Sequence, residues 1–178
     1  DHGDLGYDRG YIQGHSSGTD GYLSGGITQP GNNYDRIQKF SFSSSVTAST
    51  DHGTLSRSTF MAAGWSTPSG YGYTGAGAWG TGTGIDKWSF SNNTTAAEVG
   101  SFTTIKKSAA SCGSTTQGFY CGGNDGGNYP DYWVATSFKF DYASNVASED
   151  HGDLTALKSG CSGTSSATHG FVSSGYHL

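Results

Sequence analysis

Three stretches of the chain alternate apolar and polar residues: IQKFSF (Ile37 to Phe42), IDKWSF (Ile85 to Phe90) and ATSFKF (Ala135 to Phe140). A period of two puts successive side chains on opposite faces of an extended strand, so each stretch predicts a strand with one buried face. Ile37, Phe42, Ile85, Phe90, Phe138 and Phe140 are accordingly expected to be buried between sheets. No window carries apolar residues at i, i+3, i+4 and i+7 for long enough to predict a helix. The expected fold class is all-β.

These stretches sit inside a longer repeat. DHGDL at Asp1, DHGTL at Asp51, EVGSF at Glu98 and DHGDL at Asp150 recur at separations of 50, 47 and 52 residues, counted between their first residues. Nine residues after each Leu or Phe comes a small residue: Gly14, Gly64, Ser111 and Gly163. A Gly-aromatic pair follows (Gly21-Tyr22, Gly72-Tyr73, Gly118-Phe119, Gly170-Phe171), then a glycine-rich stop, SGG, GAG, CGG or SSG. Arg9, Lys106 and Lys158 stand four residues after the motif, with Thr59 in that place in the second copy. In the first repeat, strands are expected near residues 5–9, 14–19, 21–24 and 34–42. Four strands in about fifty residues match a propeller blade. The few large apolar side chains of one repeat cannot offset the entropy of ordering its backbone, so repeats must stack to bury both sheet faces.

The order of a strand ending in Gly-Gly, an aromatic-rich strand and a Leu-containing strand leading to a basic residue resembles the Kelch repeat, over essentially the whole chain. It is also similar to Gly-aromatic repeats of structural or tail-fibre proteins of phages and algal viruses, where segments such as THGF (Thr168 to Phe171) and IDKWSF recur. The resemblance implies a β-propeller-like array of about four blades, with repeats at residues 1–50, 51–97, 98–149 and 150–178 of a single domain. Roughly fifteen strands are expected, where a closed four-bladed ring has sixteen. A small closed ring is the first expectation. A partial propeller completed by another chain, or an open stack of sheets, are the alternatives.

Composition agrees with short strands and tight turns: 30 Gly, 11 Tyr and 9 Phe, against one Met, in 178 residues. With 13% charged residues and a net charge of -5, the chain has no basic stripe to collect phosphates, so no nucleic-acid partner is expected. Apolar runs are short and membrane insertion is not expected. The chain begins at Asp1, which reads as a processed protein or a section of a longer one.

Candidate chemistry is sparse. His2, His52 and His151 share one repeat position, and a side chain copied in every repeat suits a turn or packing role better than catalysis. No phosphate-cradling loop, nucleophile elbow or zinc-binding His pair is present, so no catalytic or metal residues and no cofactors are expected. Cys112 and Cys121 fall on expected neighbouring strands and could form a disulfide if their Cα atoms lie within ~7 Å. Three free thiols, including Cys161, are the alternative. The oxygen-rich run from Asn124 to Asp131 lacks the spacing of a calcium loop. Asn92 and Asn93 begin overlapping glycosylation sequons, which matter only in a eukaryotic secretory route.

The loops between the third and fourth expected strands carry Tyr34, Trp79, Tyr129, Tyr132 and Trp133. Flat rings beside Asn and Asp suit sugar recognition, and equivalent loops emerge on one face of a propeller. The same rings would equally serve to cover blade edges or to make a subunit contact. The expected function is a non-catalytic structural or adhesion module on a virion surface or in another extracellular assembly. Its partners would be other structural subunits or surface glycans, with a homo-oligomer as a further option. A lectin-like carbohydrate-binding propeller is the alternative, ahead of a fragment of a propeller enzyme.

Overall fold

Local alternation becomes four-stranded sheets in a computed structural model that describes residues 4–29, 31–43, 48–78, 82–126, 133–143, 147–173 and 175–176. β1 (Gln13–Ser16) and β2 (Asp20–Ser24) form a hairpin. A two-residue pair, β3 (Ile27–Thr28) and β4 (Asn32–Asn33), occupies the next loop, and β5 (Arg36–Ser41) and β6 (Thr50–Thr54) complete a sheet in the order β1-β2-β5-β6. The second sheet has β7 (Ala63–Thr67), β8 (Tyr71–Gly75), β9 (Gly84–Ser89) and β10 (Ala97–Ser101) in sequence order. The third has β11 (Ala110–Gly113), β12 (Gln117–Cys121), β13 (Val134–Asp141) and β14 (Glu149–Lys158), also in sequence order. A hairpin of β15 (Ser162–Ser165) and β16 (Gly170–Ser173) follows. All these pairings are antiparallel. Among the described residues they do not close into a barrel, and no helix is long and apolar enough to cross a membrane.

Two expectations about strand placement are corrected. Residues 5–9 form no strand; the DHGxL motif lies in the fourth strand of its sheet, in β6 and again in β14, where the strand continues through Lys158. The third strands also align differently. Gly21 pairs with Phe40, Gly72 with Trp88 and Gly118 with Phe140, so the equivalent runs are Lys39-Phe40-Ser41-Phe42, Lys87-Trp88-Ser89-Phe90 and Lys139-Phe140-Asp141-Tyr142. A shift of two residues keeps every side chain on its face, which is why Phe138 is buried nonetheless. The glycines make the register possible. A Cβ on Gly72 would overlap the Trp88 indole, and one on Gly21 would overlap the Phe40 ring.

The sheets stack through aromatic layers. Tyr22, Ile37, Leu55, Trp88, Phe90 and Ala96 form the core between the first and second sheets. Trp65, Tyr73, Ile85, Phe102, Tyr120, Phe138 and Phe140 form that between the second and third. Ile37, Ile85, Phe90, Phe138 and Phe140 are buried as expected. Phe42 is not: it is 49% exposed, because among the described residues no sheet packs on its face of the first sheet as the first packs on Phe90.

The innermost strands adjoin in succession, β1 with β7, β7 with β11 and β11 with β15. Ser16 N donates to Ser66 Oγ (3.0 Å), Gly64 N to Ser111 Oγ (3.3 Å) and Gly113 N to Ser165 Oγ (3.3 Å). A second ladder runs through residues held in the left-handed region that non-glycine residues avoid: Tyr11, Met61 and Ser108, with φ of 54, 53 and 57°. Met61 N donates to Tyr11 O, Ser108 N to Met61 O and Gly160 N to Ser108 O, at 3.2, 3.1 and 2.7 Å.

Candidate functional site

The repeated cations are anchored in the sheets. Arg9 donates through Nη1 to the carbonyls of Gly25 (2.6 Å) and Arg36 (3.1 Å), and through Nη2 to Gln38 Oε1 (2.9 Å). Thr59, at the same repeat position, donates to the Ala76 carbonyl at 2.9 Å. The cation of the second repeat is Arg57, two residues earlier, which donates to the Gly84 carbonyl and lies 3.5 Å from Asp86 Oδ1 and 2.8 Å from Glu98. In the third repeat Lys106 donates to Thr136 and sits 4.6 Å from the Phe138 ring centre; burial pulls its ammonium below the ordinary lysine value. The strand registers make Gln38, Asp86 and Phe138 equivalent. One position thus presents an amide to Arg9, a carboxylate to Arg57 and a ring to Lys106.

Asp86 is buried and also accepts from Ser56 N (2.8 Å) and Ser56 Oγ (2.7 Å). Replacing Asp86 with Ala is expected to cost about 2 kcal/mol, since it removes both Ser56 hydrogen bonds and one of the charged partners of the partly buried Arg57 guanidinium. Urea unfolding of the variant measures this, and Arg36→Ala, which removes the exposed 2.6 Å pair with Asp51, should change stability by less than about 1 kcal/mol.

Two histidines, His15 and His52, are used in packing. His15 is fully enclosed, with Nδ1 3.2 Å from Trp65 O and Nε2 2.9 Å from Ser24 Oγ. A carbonyl only accepts, so Nδ1 carries the proton and Nε2 accepts from Ser24. Ser24 Oγ lies 2.8 Å from Thr74 Oγ1, which takes the Trp88 indole N–H at 3.3 Å. The relay from Trp88 through Thr74 and Ser24 to His15 and Trp65 O ties the first two sheets together. Desolvation lowers the His15 pKa to about 4. His52 is buried with Nε2 2.9 Å from Ser89 O and its ring 5.0 Å from that of Tyr22. His151 sets its ring 5.0 Å from Phe119. His2 lies outside the described residues.

A concavity of about 920 Å³ opens beside the left-handed ladder. Tyr11, Met61 and Ser108 contribute to it from the ladder, Asn33 and Asn124 from the loops, and Trp133 and Tyr176 from the C-terminal half. Asn124 is fixed by backbone pairing with both Lys107 and Trp133, and its Oδ1 accepts from Gly126 N at 2.8 Å. Trp133 and Tyr176 lie 6.3 Å apart, tilted by 32°. Tyr11 and Tyr176 are largely exposed. Rings and amides therefore converge on one open basin, an arrangement able to stack on a flat, weakly polar ligand and hydrogen-bond its rim.

Of the loop aromatics expected to gather, Trp133 lines this basin. Tyr34 does not; it is half-buried with its ring 6.0 Å from Tyr7. Trp79, Tyr129 and Tyr132 lie outside the described residues. Tyr11 and Tyr176 escaped the sequence reading because they sit in the turns between sheets; the available signal was that Tyr11, Met61 and Ser108 each stand six residues after the Leu or Phe of the repeated motif.

Cys112 and Cys121 are free thiols on one face of the third sheet. They are diagonal and not opposite: Cys112 faces Phe119 and Cys121 faces Ala110. A hydrogen bond from Cys112 lowers the Cys121 pKa, and the same contact with burial raises that of Cys112. Cys161 is a free, half-buried thiol. Asn92 and Asn93 are exposed between β9 and β10. Compared with protein-family models and with curated proteins, the chain matches none.

Proposed function

We propose that the chain is a non-catalytic structural or adhesion module of a virion or another extracellular assembly, its sheets acting as blades of a Kelch-like, propeller-type array. The observation that carries this reading is how the repeated polar side chains are used. Arg9, Thr59, Lys106, His15 and His52 are all committed to sheet backbones or inter-sheet rings, which builds rigidity and frees the loops to vary. Quantitative peptide mass spectrometry of purified particles and cell-surface fractions tests it. Recovery in fixed stoichiometry with other particle or surface proteins is expected; recovery solely from the soluble cytosol would overturn it.

A lectin-like activity is the second reading, favoured by the basin of Trp133, Tyr176, Tyr11, Asn33 and Asn124. Trp133→Ala and Tyr176→Ala should each abolish retention on a glycan array while leaving the melting temperature within a few degrees of the parent, because partly exposed rings contribute little to folding. Unchanged retention would remove the basin from recognition.

A further inference from the structure

We propose that the wedge between the third sheet and the β15–β16 hairpin is a docking slot for an extended strand of a partner polypeptide carrying a Lys-aromatic-polar-aromatic run. The slot stands apart from the adhesion reading and uses none of the basin residues.

The occupant is defined by the filled copies of the same site. At the first junction, Tyr22 and His52 stand with ring centres 5.0 Å apart and receive Trp88 and Phe90 from the next sheet. Trp88 lies 5.4 Å from Tyr22 and 6.3 Å from His52, Phe90 stacks on Tyr22 at 4.7 Å, and His52 Nε2 is 2.9 Å from the intervening Ser89 carbonyl. At the second junction Tyr73 receives Phe140 at 6.1 Å and Tyr142 at 4.7 Å. At the third, Phe119 and His151 occupy the repeat positions of Tyr22 and His52, again 5.0 Å apart. What lies before them is a cavity of about 660 Å³ walled by Gly152, Leu154, His169 and Val172.

The edge that would hold the strand is also present. β2, β8 and β12 each pair on their outer edge with a third strand, β5, β9 or β13. Their equivalent β16 pairs, among the described residues, only with β15. In all three complete sheets the first aromatic of the run pairs with the Gly of the Gly-aromatic pair, and the Lys pairs with its aromatic. Lys39 and Lys87 then lie 5.7 and 5.8 Å from the ring centres of Tyr22 and Tyr73. Applied to β16, an incoming strand sets an aromatic side chain opposite Gly170 and a Lys opposite Phe171, with its rings facing Phe119 and His151. Strand addition of this kind takes affinity from main-chain hydrogen bonds and specificity from alternate side chains.

The test is fluorescence anisotropy with a labelled peptide GIDKWSFS, the sequence of residues 84–91, added to the intact chain. Saturable binding is expected, weakened at least about tenfold when the peptide's Trp and Phe are changed to Ser, or when the protein carries His151→Ala or Val172→Lys. Both protein variants alter partly or fully exposed positions, and circular dichroism melting verifies that each is folded. Hydrogen exchange should show new protection at residues 170–173. Absence of saturable binding, indifference to the aromatic changes, or protection confined to the first sheet would overturn the slot. Release of a self-associated form by the peptide would instead assign the slot to a second copy of this chain and overturn the partner strand.

Discussion

Trp88→Ala is expected to lower the unfolding free energy by about 3–5 kcal/mol, the range for truncating a large buried aromatic side chain. Trp88 is 4% exposed and its ring approaches those of His15, Tyr22, His52 and Phe90 at 4.9 to 6.3 Å. Its indole N–H also starts the relay that ends on His15. Removing it opens a cavity between two sheets and uncovers Gly72, which has no side chain of its own to fill the space. An internal comparison isolates the role of stacking. Phe90 and Phe42 are the same residue at equivalent strand positions, yet Phe90 is buried and Phe42 is exposed. Denaturant unfolding should therefore find Phe90→Ala costing about 3 kcal/mol and Phe42→Ala less than about 1 kcal/mol. Equal losses would mean that the uncovered face of the first sheet is packed in solution.

Stability is expected to fall as pH drops from about 6.5 toward 4, through His15. Its native value is lowered from 6.5 to about 4 by burial, so over this window the unfolded chain binds a proton that the native chain refuses. The slope of unfolding free energy with pH is then positive between the two values and flat above the higher one. The stabilisation is fully present above the unfolded value and lost progressively below it, to a total of about 3 kcal/mol. Urea titrations at pH 7.5, 6, 5 and 4.5, with NMR of the imidazole protons, follow both quantities. Unchanged stability from pH 7.5 to 4.5 would show that the ring protonates without breaking its bonds to Trp65 and Ser24.

Period-two alternation sufficed to place β5, β9 and β13, because a sheet with one buried face needs that pattern. The Gly-aromatic pairs were equally legible, since Gly21 and Gly72 lie beneath rings of the neighbouring strand. What misled was similarity of letters. ATSFKF matches IQKFSF by eye, but the register is decided by which residue opposes Gly118, and pairing is not visible within one strand. Phe42 was misjudged for a related reason: its periodicity reports a face fit for burial, and whether another sheet covers that face is not written in the strand itself. Trp133 was singled out because its loop is rich in rings and amides, and it lines the basin. The roles of Gln38, Asp86 and Phe138 could not be read from sequence, as an amide, a carboxylate and a phenyl ring become equivalent only when each is seen against its own cation.

The left-handed residues Tyr11, Met61 and Ser108 also impose a direction on assembly. In each rung of their ladder the N–H belongs to the later repeat and the carbonyl to the earlier one, made 50, 47 or 52 residues before. During synthesis on the ribosome the acceptor carbonyl of every rung is therefore made before its donor N–H, and each new sheet emerges with its acceptor already in the chain. The closure length stays nearly constant from rung to rung, so adding a repeat lengthens the array without raising the entropy cost of forming the next contact.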